Sequence, residues 1–277
     1  MANEVKSPSF LIGNATVMLA PRSTDVFSLT PDLHSVGMVK AVTVGMEADT
    51  IDLRHGIQQN LVDQKRSGVR LTTTFEGYEF TAQNLIRALG YANTAIVRKR
   101  GVLTTAIAAA GTSVILNSDP IPGDTTSAVS AVGDIPAGST IIIQKAGTPE
   151  YVYVARTTGA ATGAGPYTVT LANALPTGMS FAVGDRVWVV NEMGVGDQKD
   201  TDFFGMKIVG TLSNYDAPVV VIFPKVKIVR GFNLSFSETD YSNLPFEISP
   251  FFLTSSEATG RLAEIGTTVT GKAYIGA

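Results

Sequence analysis

Val39-Lys40-Ala41-Val42-Thr43-Val44 and, further on, Val69-Arg70-Leu71-Thr72-Thr73-Thr74-Phe75-Glu76 are the runs whose reading decides the fold. Both are rich in β-branched residues and alternate apolar with small or polar side chains, the period-two pattern of a half-buried strand. In the second run Val69, Leu71, Thr73 and Phe75 fall on one face. Between the two, residues 49–63 mix short apolar pairs with charges, as an exposed hairpin tip or a long edge excursion does. The stretch closes in Glu79-Phe80-Thr81-Ala82-Gln83-Asn84-Leu85-Ile86-Arg87-Ala88-Leu89-Gly90. There Thr81 suits a helix N-cap, Leu85, Ile86 and Leu89 form a one-sided apolar stripe, and Gly90 suits the left-handed stop. From Ser35 to Gly90 the sequence therefore predicts two or three long strands feeding one short amphipathic helix.

The rest of the chain is consistent with a mainly β protein. Charged residues are only 16% of the 277, apolar ones are 44%, and glycine is frequent, a balance that suits sheets with much surface committed to contacts. The net charge of -3 exerts no global pull on nucleic acid. A water-filled channel through which DNA merely slides would need no basic surface either. The absence of cysteine excludes disulfides, thiolate metal sites and cysteine nucleophiles, and it fits a reducing compartment. Residues 1–6 lack the basic-then-apolar pattern of a secretory signal, and no apolar run approaches the ~20 residues that span a bilayer. The expectation is a soluble chain that stays where it is made.

Residues 1–34 read as an N-terminal arm, a strand around Ala15–Leu19 and a loop. After Gly90 come a strand at Thr94–Val97, the basic triplet Arg98-Lys99-Arg100 as a solvated strand end, and a small-residue tract over 104–111. The composition changes there, which places a boundary near residue 103. From Ser113 to about Val190, short strands (Val114–Leu116, Thr140–Ile143, Tyr151–Ala155, Thr168–Leu171, Arg186–Val190) alternate with Pro/Gly turns at a spacing that suggests a small β-barrel or sandwich. After Met193 the texture reverts to long strands: Phe204–Leu212, Pro218–Phe223, Val226–Phe236 and Leu244–Phe252, with one more around Thr267–Tyr274. Broken alternation at Val226, Ile228, Gly231 and Leu234 predicts a bulge near Arg230-Gly231. The simplest account is a discontinuous domain, residues 1–103 plus 194–277, with a second β domain, 104–193, inserted in it.

Catalytic chemistry has little to stand on. The two histidines, His34 and His55, have no metal-like spacing, and no nucleophile elbow, phosphate loop or zinc-protease motif occurs. Asp197, Asp200 and Asp202 collect in one loop, but Lys199 intrudes and the spacing is not that of a calcium-binding hand. A solvated loop is the better reading. No enzyme activity, cofactor or metal is expected. What remains is surface for partners: the polar segment Gln58–Gly68 exceeds the ~2–5 residues of a routine hairpin loop.

The order Leu53-x-x-Gly56, polar stretch, strand Val69–Phe75, then Glu79-x-Thr81-x-x-Asn84-Leu85-x-x-Ala88-Leu89-Gly90 resembles the N-terminal half of phage major tail tube proteins. Val221-Ile222-Phe223-Pro224-Lys225-Val226-Lys227-Ile228, then Leu234-Ser235-Phe236 and Asp240-Tyr241-Ser242-Asn243-Leu244-Pro245-Phe246-Glu247, is similar to that family's closing strands. The resemblance covers the two flanking segments; residues 104–193 depart from the minimal family pattern. It implies a tail-tube-like β-sandwich or barrel with one short flanking helix, forming homo-oligomeric, hexameric rings that stack into a virion tail tube. Val42, Val44, Leu71, Thr73, Val226 and Ile228 would then lie on barrel strands whose polar alternates face the lumen. Gln58, Asn60, Asp63, Lys65 and Arg66 would form the ring-stacking loop, and Leu85, Ile86 and Leu89 would pack the helix. Implied partners are further copies, other tail proteins (tape measure, terminator, distal tail) and DNA passing non-specifically, with no membrane; assembly would take place in the host cytoplasm. The rival reading is a β-rich phage adhesin or head-decoration protein whose insert recognises a glycan or a capsid surface.

Overall fold

The computed structural model describes residues 15–55, 59–92, 99–192, 194–195, 200–212, 217–233 and 242–275. The arm over 1–14, the strand expected at 94–97, Arg98, Gln58, Asp197 and the runs 234–236 and 240–241 lie outside them. The protein is mainly β and its sheets are antiparallel. It divides into two compact units, Met1–Thr94 with Val195–Ala277, and Ala95–Gly194.

The first unit holds β1 (Thr16–Pro21), α1 (Pro31–His34), β2 (Val39–His55), β3 (Asn60–Gly77) and α2 (Ala82–Ala88) from the N-terminal segment. The second unit is built from β4 (Lys99–Leu103), β5 (Ser113–Ser118), β6 (Thr140–Gln144), β7 (Val152–Arg156), β8 (Tyr167–Thr170) and β9 (Arg186–Val190). The chain then returns to the first unit with β10 (Phe204–Leu212), β11 (Ala217–Arg230), β12 (Leu244–Pro250) and β13 (Lys272–Ile275).

In the first unit the strands run β1-β10-β11-β12-β3-β2, and β13 pairs with the start of β11. β1 is apolar at successive positions because both its faces are covered. Val17 and Leu19 join a core with Phe75, Phe204, Met206, Phe223, Val226, Ile228, Phe246 and Ile248. Met18 and Ala20 join a smaller cluster with Val26, Leu29, Ile222 and Ile265 on the other side. Phe75 and Phe246, on adjacent strands, stack with centroids 4.8 Å apart, a pair geometry worth about 0.5–1.5 kcal/mol beyond its buried area.

One feature of β11 differs from expectation and another falls close to it. Pro224 suggested a break between two strands, yet β11 runs through it. The β10–β11 register steps from Met206↔Phe223 to Phe204↔Val226, so Pro224 and Lys225 together oppose Gly205. A bulge is where a residue without an N–H does least harm to a ladder. The second bulge falls at Val229, where the register with β12 shifts between Ile228 and Arg230, next to the predicted position.

α2 also packs differently. Thr81 caps it as expected, its side chain accepting from the Asn84 N–H at 3.1 Å. The fully buried residues are Asn84, Ile86, Arg87 and Ala88, while Leu85 and Leu89 are half-buried. Asn84 Nδ2 donates to the carbonyls of Val36 (2.7 Å) and Glu79 (3.0 Å), tying the helix to the chain ahead of β2 and to its own approach. Burial lowers the Arg87 pKa to about 10, which leaves it charged at neutral pH. Of the expected stripe, Ile86 is buried and Leu85 packs half-buried against the core, while Asn84 and Arg87 are buried beside them because irregular backbone over the helix offers carbonyls that need polar partners.

In the second unit the order is β7-β6-β9-β4-β5-β8. The ends of this sheet meet through the bridge Thr157↔Leu171 and the bonds Thr158 N–H to Thr170 O and Ala172 N–H to Arg156 O, so it curls into a barrel closed on one side by a short seam. Leu103, Leu116, Ile141, Ile143, Phe181 and Val187 are among its core. β4 belongs to this sheet, so the unit begins before the expected boundary at 103. Arg100 is not solvated there. It pairs with Asp119 at 2.9 Å, donates to the Pro120 carbonyl, and lies 5.3 Å from the Trp188 ring centroid.

One core hydroxyl is unmatched: Thr73 Oγ1 is buried without a hydrogen-bond partner. A buried unpaired hydroxyl costs about 1–3 kcal/mol, so Thr73→Val should raise the unfolding free energy by about 1 kcal/mol. Urea melts of the two proteins measure this, and a destabilised valine variant would count against the unpaired assignment.

Candidate functional site

The feature of the first unit that its own fold does not use is the hairpin of β2 and β3. The two strands pair from Val39↔Gly77 to His55↔Asn60. β12 lies beside β3 only over Gly77 to Thr73, so beyond that point the hairpin continues as a two-stranded ribbon. Over residues 43–55 and 59–67 every described side chain is exposed. The expected loop over Gln58–Gly68 is corrected here: Asn60, Asp63, Lys65 and Arg66 are strand residues opposite His55, Leu53, Ile51 and Thr50. The polar composition read as loop because on a ribbon with two wet faces no side-chain alternation is enforced by a core. Gln58 falls outside the described residues.

Polar residues alone do not make up the ribbon. Met46, Ile51, Leu53, Leu61 and Val62 are all at least 55% exposed, and Val44 and Val69 follow at 42% and 38%. Near the base Val44 and Met46 lie opposite Thr73 and Leu71, on the side of the sheet that faces the core. Further out, the apolar positions of β2 switch from even to odd numbers, Ile51 and Leu53, where the register slips between Asp49 and Thr50 and Ser67 is the extra residue. Because β2 itself keeps its alternation there, Ile51 and Leu53 face the side opposite Val44 and Met46, which gives β2 two apolar patches of opposite sense.

The other barrel-strand residues divide as follows. Thr73, Val226 and Ile228 are buried in the unit's own core, and Val42 and Leu71 are half-buried against it. The polar alternates stand on the opposite face: Lys40, Thr43 and Glu47 on β2, Arg70, Thr72, Thr74 and Glu76 on β3, Glu247 on β12 and Arg230 on β11. A shallow cleft of about 200 Å³ on this face is lined by Thr74, Glu76, Arg230, Glu247 and Ala41, whose φ of 53° marks the bulge between Lys40 and Thr43.

Among the described residues no group of three or more His, Cys, Asp or Glu is placed to hold a metal ion. Asp200 receives the Lys227 ammonium at 2.7 Å, which holds its carboxyl below the usual value, whereas Asp202 accepts from the Ala92 N–H at 2.8 Å. His34 Nδ1 is taken up by the Thr30 backbone, and His55 stands exposed at the ribbon's end. Among the described residues no helix is long and apolar enough to cross a membrane. No protein-family model matches the chain, and no curated protein matches it.

Sequence reasoning missed a cluster on the polar side of β11. Lys225 and Lys227 each lie 4.6 Å from the Phe203 ring centroid, and Lys225 pairs with Glu257 at 2.8 Å, fastening the segment after β12. The hydrogen bond from Lys225 and that from the Thr254 N–H lower the Glu257 pKa from an ordinary 4.5 to about 2. Because the folded-state pKa is depressed, the carboxylate's stabilisation is complete above about pH 4.5 and is lost as pH falls through about 2. The melting temperature of Glu257→Gln should therefore lie below wild type at pH 7 and converge on it near pH 2; a difference that does not change with pH would refute the latch.

Proposed function

We propose that the chain is a virion structural protein, a tail-tube-like subunit that self-assembles into stacked rings forming a conduit for DNA, sixfold by the resemblance of its flanking segments to tail tube proteins. One observation carries the reading. A two-stranded ribbon with both faces wet and no third strand is marginally stable in water. Here the two-stranded part runs outward from Gly45↔Thr72, its described side chains over 45–55 and 59–67 are exposed, and among the described residues its outer backbone edges are unpaired and its apolar side chains clustered. Such an edge is a template for another chain, and pairing between copies is the physical way to remove it. The sheet's polar face would line the channel, and the far end of the ribbon would reach the next ring. On this reading the chain has no catalytic task, its partners are further copies, other tail proteins and passing DNA, and it resides in the virion tail after assembly in the host cytoplasm.

The rival, an adhesin or head-decoration protein, draws support from the outer face of the second unit. There half-buried Trp188 lies opposite Ile142, Val152 and Val154 are exposed, and Gln144 accepts from the indole N–H at 3.1 Å. An aromatic surface with planar polar neighbours suits a sugar ring.

Negative-stain microscopy and sedimentation of the purified chain separate the two. Rings or tubes are expected; dispersed particles that bind saccharide at the Trp188 face would favour the rival. Met46→Asp, at a position 60% exposed, should change the stability of the lone subunit by no more than about 0.5 kcal/mol yet abolish rings. Unchanged assembly of Met46→Asp would remove the ribbon's apolar patch from the interface.

A further inference from the structure

The ribbon carries a charge pattern that self-association alone does not explain. Between residues 43 and 52, β2 holds Glu47, Asp49 and Asp52 and no base; between 64 and 72, β3 holds Lys65, Arg66 and Arg70 and no acid. The polarity reverses only outside these limits, with Lys40 and Arg54 on β2 and Glu76 and Asp63 on β3. Of the six charges, Asp52 alone forms an ion pair with another described residue, Arg54 at 3.2 Å. Glu47 stands opposite Arg70 in the register without pairing to it. The two strands also have their free edges on opposite sides of the ribbon: each is bonded to the other on its inner side, and β12 has left β3 by Thr73.

We infer that copies of this chain join head to tail, the acidic free edge of β2 on one copy lying against the basic free edge of β3 on the next. The inference rests on the self-association reading above and specifies its geometry. A two-fold dimer through β2 would set Glu47, Asp49 and Asp52 against their own counterparts, and one through β3 would do the same with Lys65, Arg66 and Arg70. Like charges directly opposite across strands are destabilising, whereas opposite charges stabilise. The head-to-tail arrangement satisfies both edges of every copy, and repetition of it gives a closed ring or an open filament, never a dead-end dimer. Backbone pairing supplies the adhesion, and the charges supply direction and reject the two-fold alternatives.

Three variants test this: the triple E47K/D49K/D52K, the triple K65E/R66E/R70E, and the chain carrying all six. All six positions are exposed, so the subunits should fold, which circular dichroism checks. Each triple variant alone presents one sign of charge on both edges. Sedimentation should find it unassembled at concentrations at least about tenfold above the wild-type threshold, the factor set by ~1.4 kcal/mol. An equal mixture of the two triple variants should assemble with the variants alternating, visible as exclusively mixed pairs after cross-linking, and the six-substitution chain should assemble as wild type does. Triple variants that assemble at the wild-type threshold would overturn the charge match while leaving self-association standing. So would a folded mixture and a folded six-substitution chain that both stay dispersed. A wild-type chain that never assembles would instead overturn the reading on which the match depends.

Discussion

A strand's outer N–H and C=O groups need partners, and the way this protein distributes that need governs the rest of its structure. At one end of the first sheet the need is met internally. β1 bonds to β10 on one side, and on the other the bridge Met18↔Ser35 and the bond from the Val36 N–H to the Val17 carbonyl close its edge. At the opposite end the need is unmet among the described residues: β2 has one neighbour along its whole length, and β3 has one beyond Thr73. β13 also has a free side, but it is four residues long. On the proposed assembly, extension of this sheet by another copy would therefore fall to the ribbon, because the β1 edge is covered at Val17 and Met18.

Side chains follow the same gradient. Strand β1 has both faces covered, the central strands bury one face, and the ribbon buries neither. A ribbon meant for water would be polar on both faces. This one carries Met46 on one side of its bulge and Ile51 and Leu53 on the other, in patches of opposite sense. On the proposed assembly the two patches address different neighbours: the base meets a copy alongside, and the outer part meets whatever lies beyond. Bulges are common where a strand must re-aim its side chains, and the Ser67 bulge does that for β3, while the two patches of β2 follow from its own alternation.

Much of this architecture was legible in the sequence and some was not, for identifiable reasons. β2, β3, α2 and the strands β5 to β9 have period-two or capping signals that read correctly, because each alternates against a core or carries its own cap. The outer ribbon failed as a loop over Gln58–Gly68 because alternation vanishes where no face is buried. Pro224 misled because a bulge exempts it from the ladder. Arg100 in the second unit and Asn84 and Arg87 in α2 were invisible as core residues, since what buries them is contact with loops distant in sequence, the Asp119–Pro120 turn for Arg100 and the Ser35–Val36 segment for the helix. The exposed apolar residues of the ribbon were present as letters, but only the register shows that they lack a partner.

The sheet's polar face is mixed in charge. Its charges without an ion pair among the described residues, over β2, β3, β12 and β11, are the acids Glu47, Asp49, Asp63, Glu76 and Glu247 and the bases Lys40, Lys65, Arg70 and Arg230. Lys227 shares that face but is held by Asp200. Binding to nucleic acid gains its strength from bases that neutralise phosphates and release counterions. Five acids interleaved with four bases give no run of positive charge for a polyanion to grip, and too little negative field to oppose its entry. A surface repeated around a ring with that balance would let DNA pass without holding it. On the proposed assembly, the near-neutral charge of the whole chain, which by itself excludes nothing, would have its physical reason on this face.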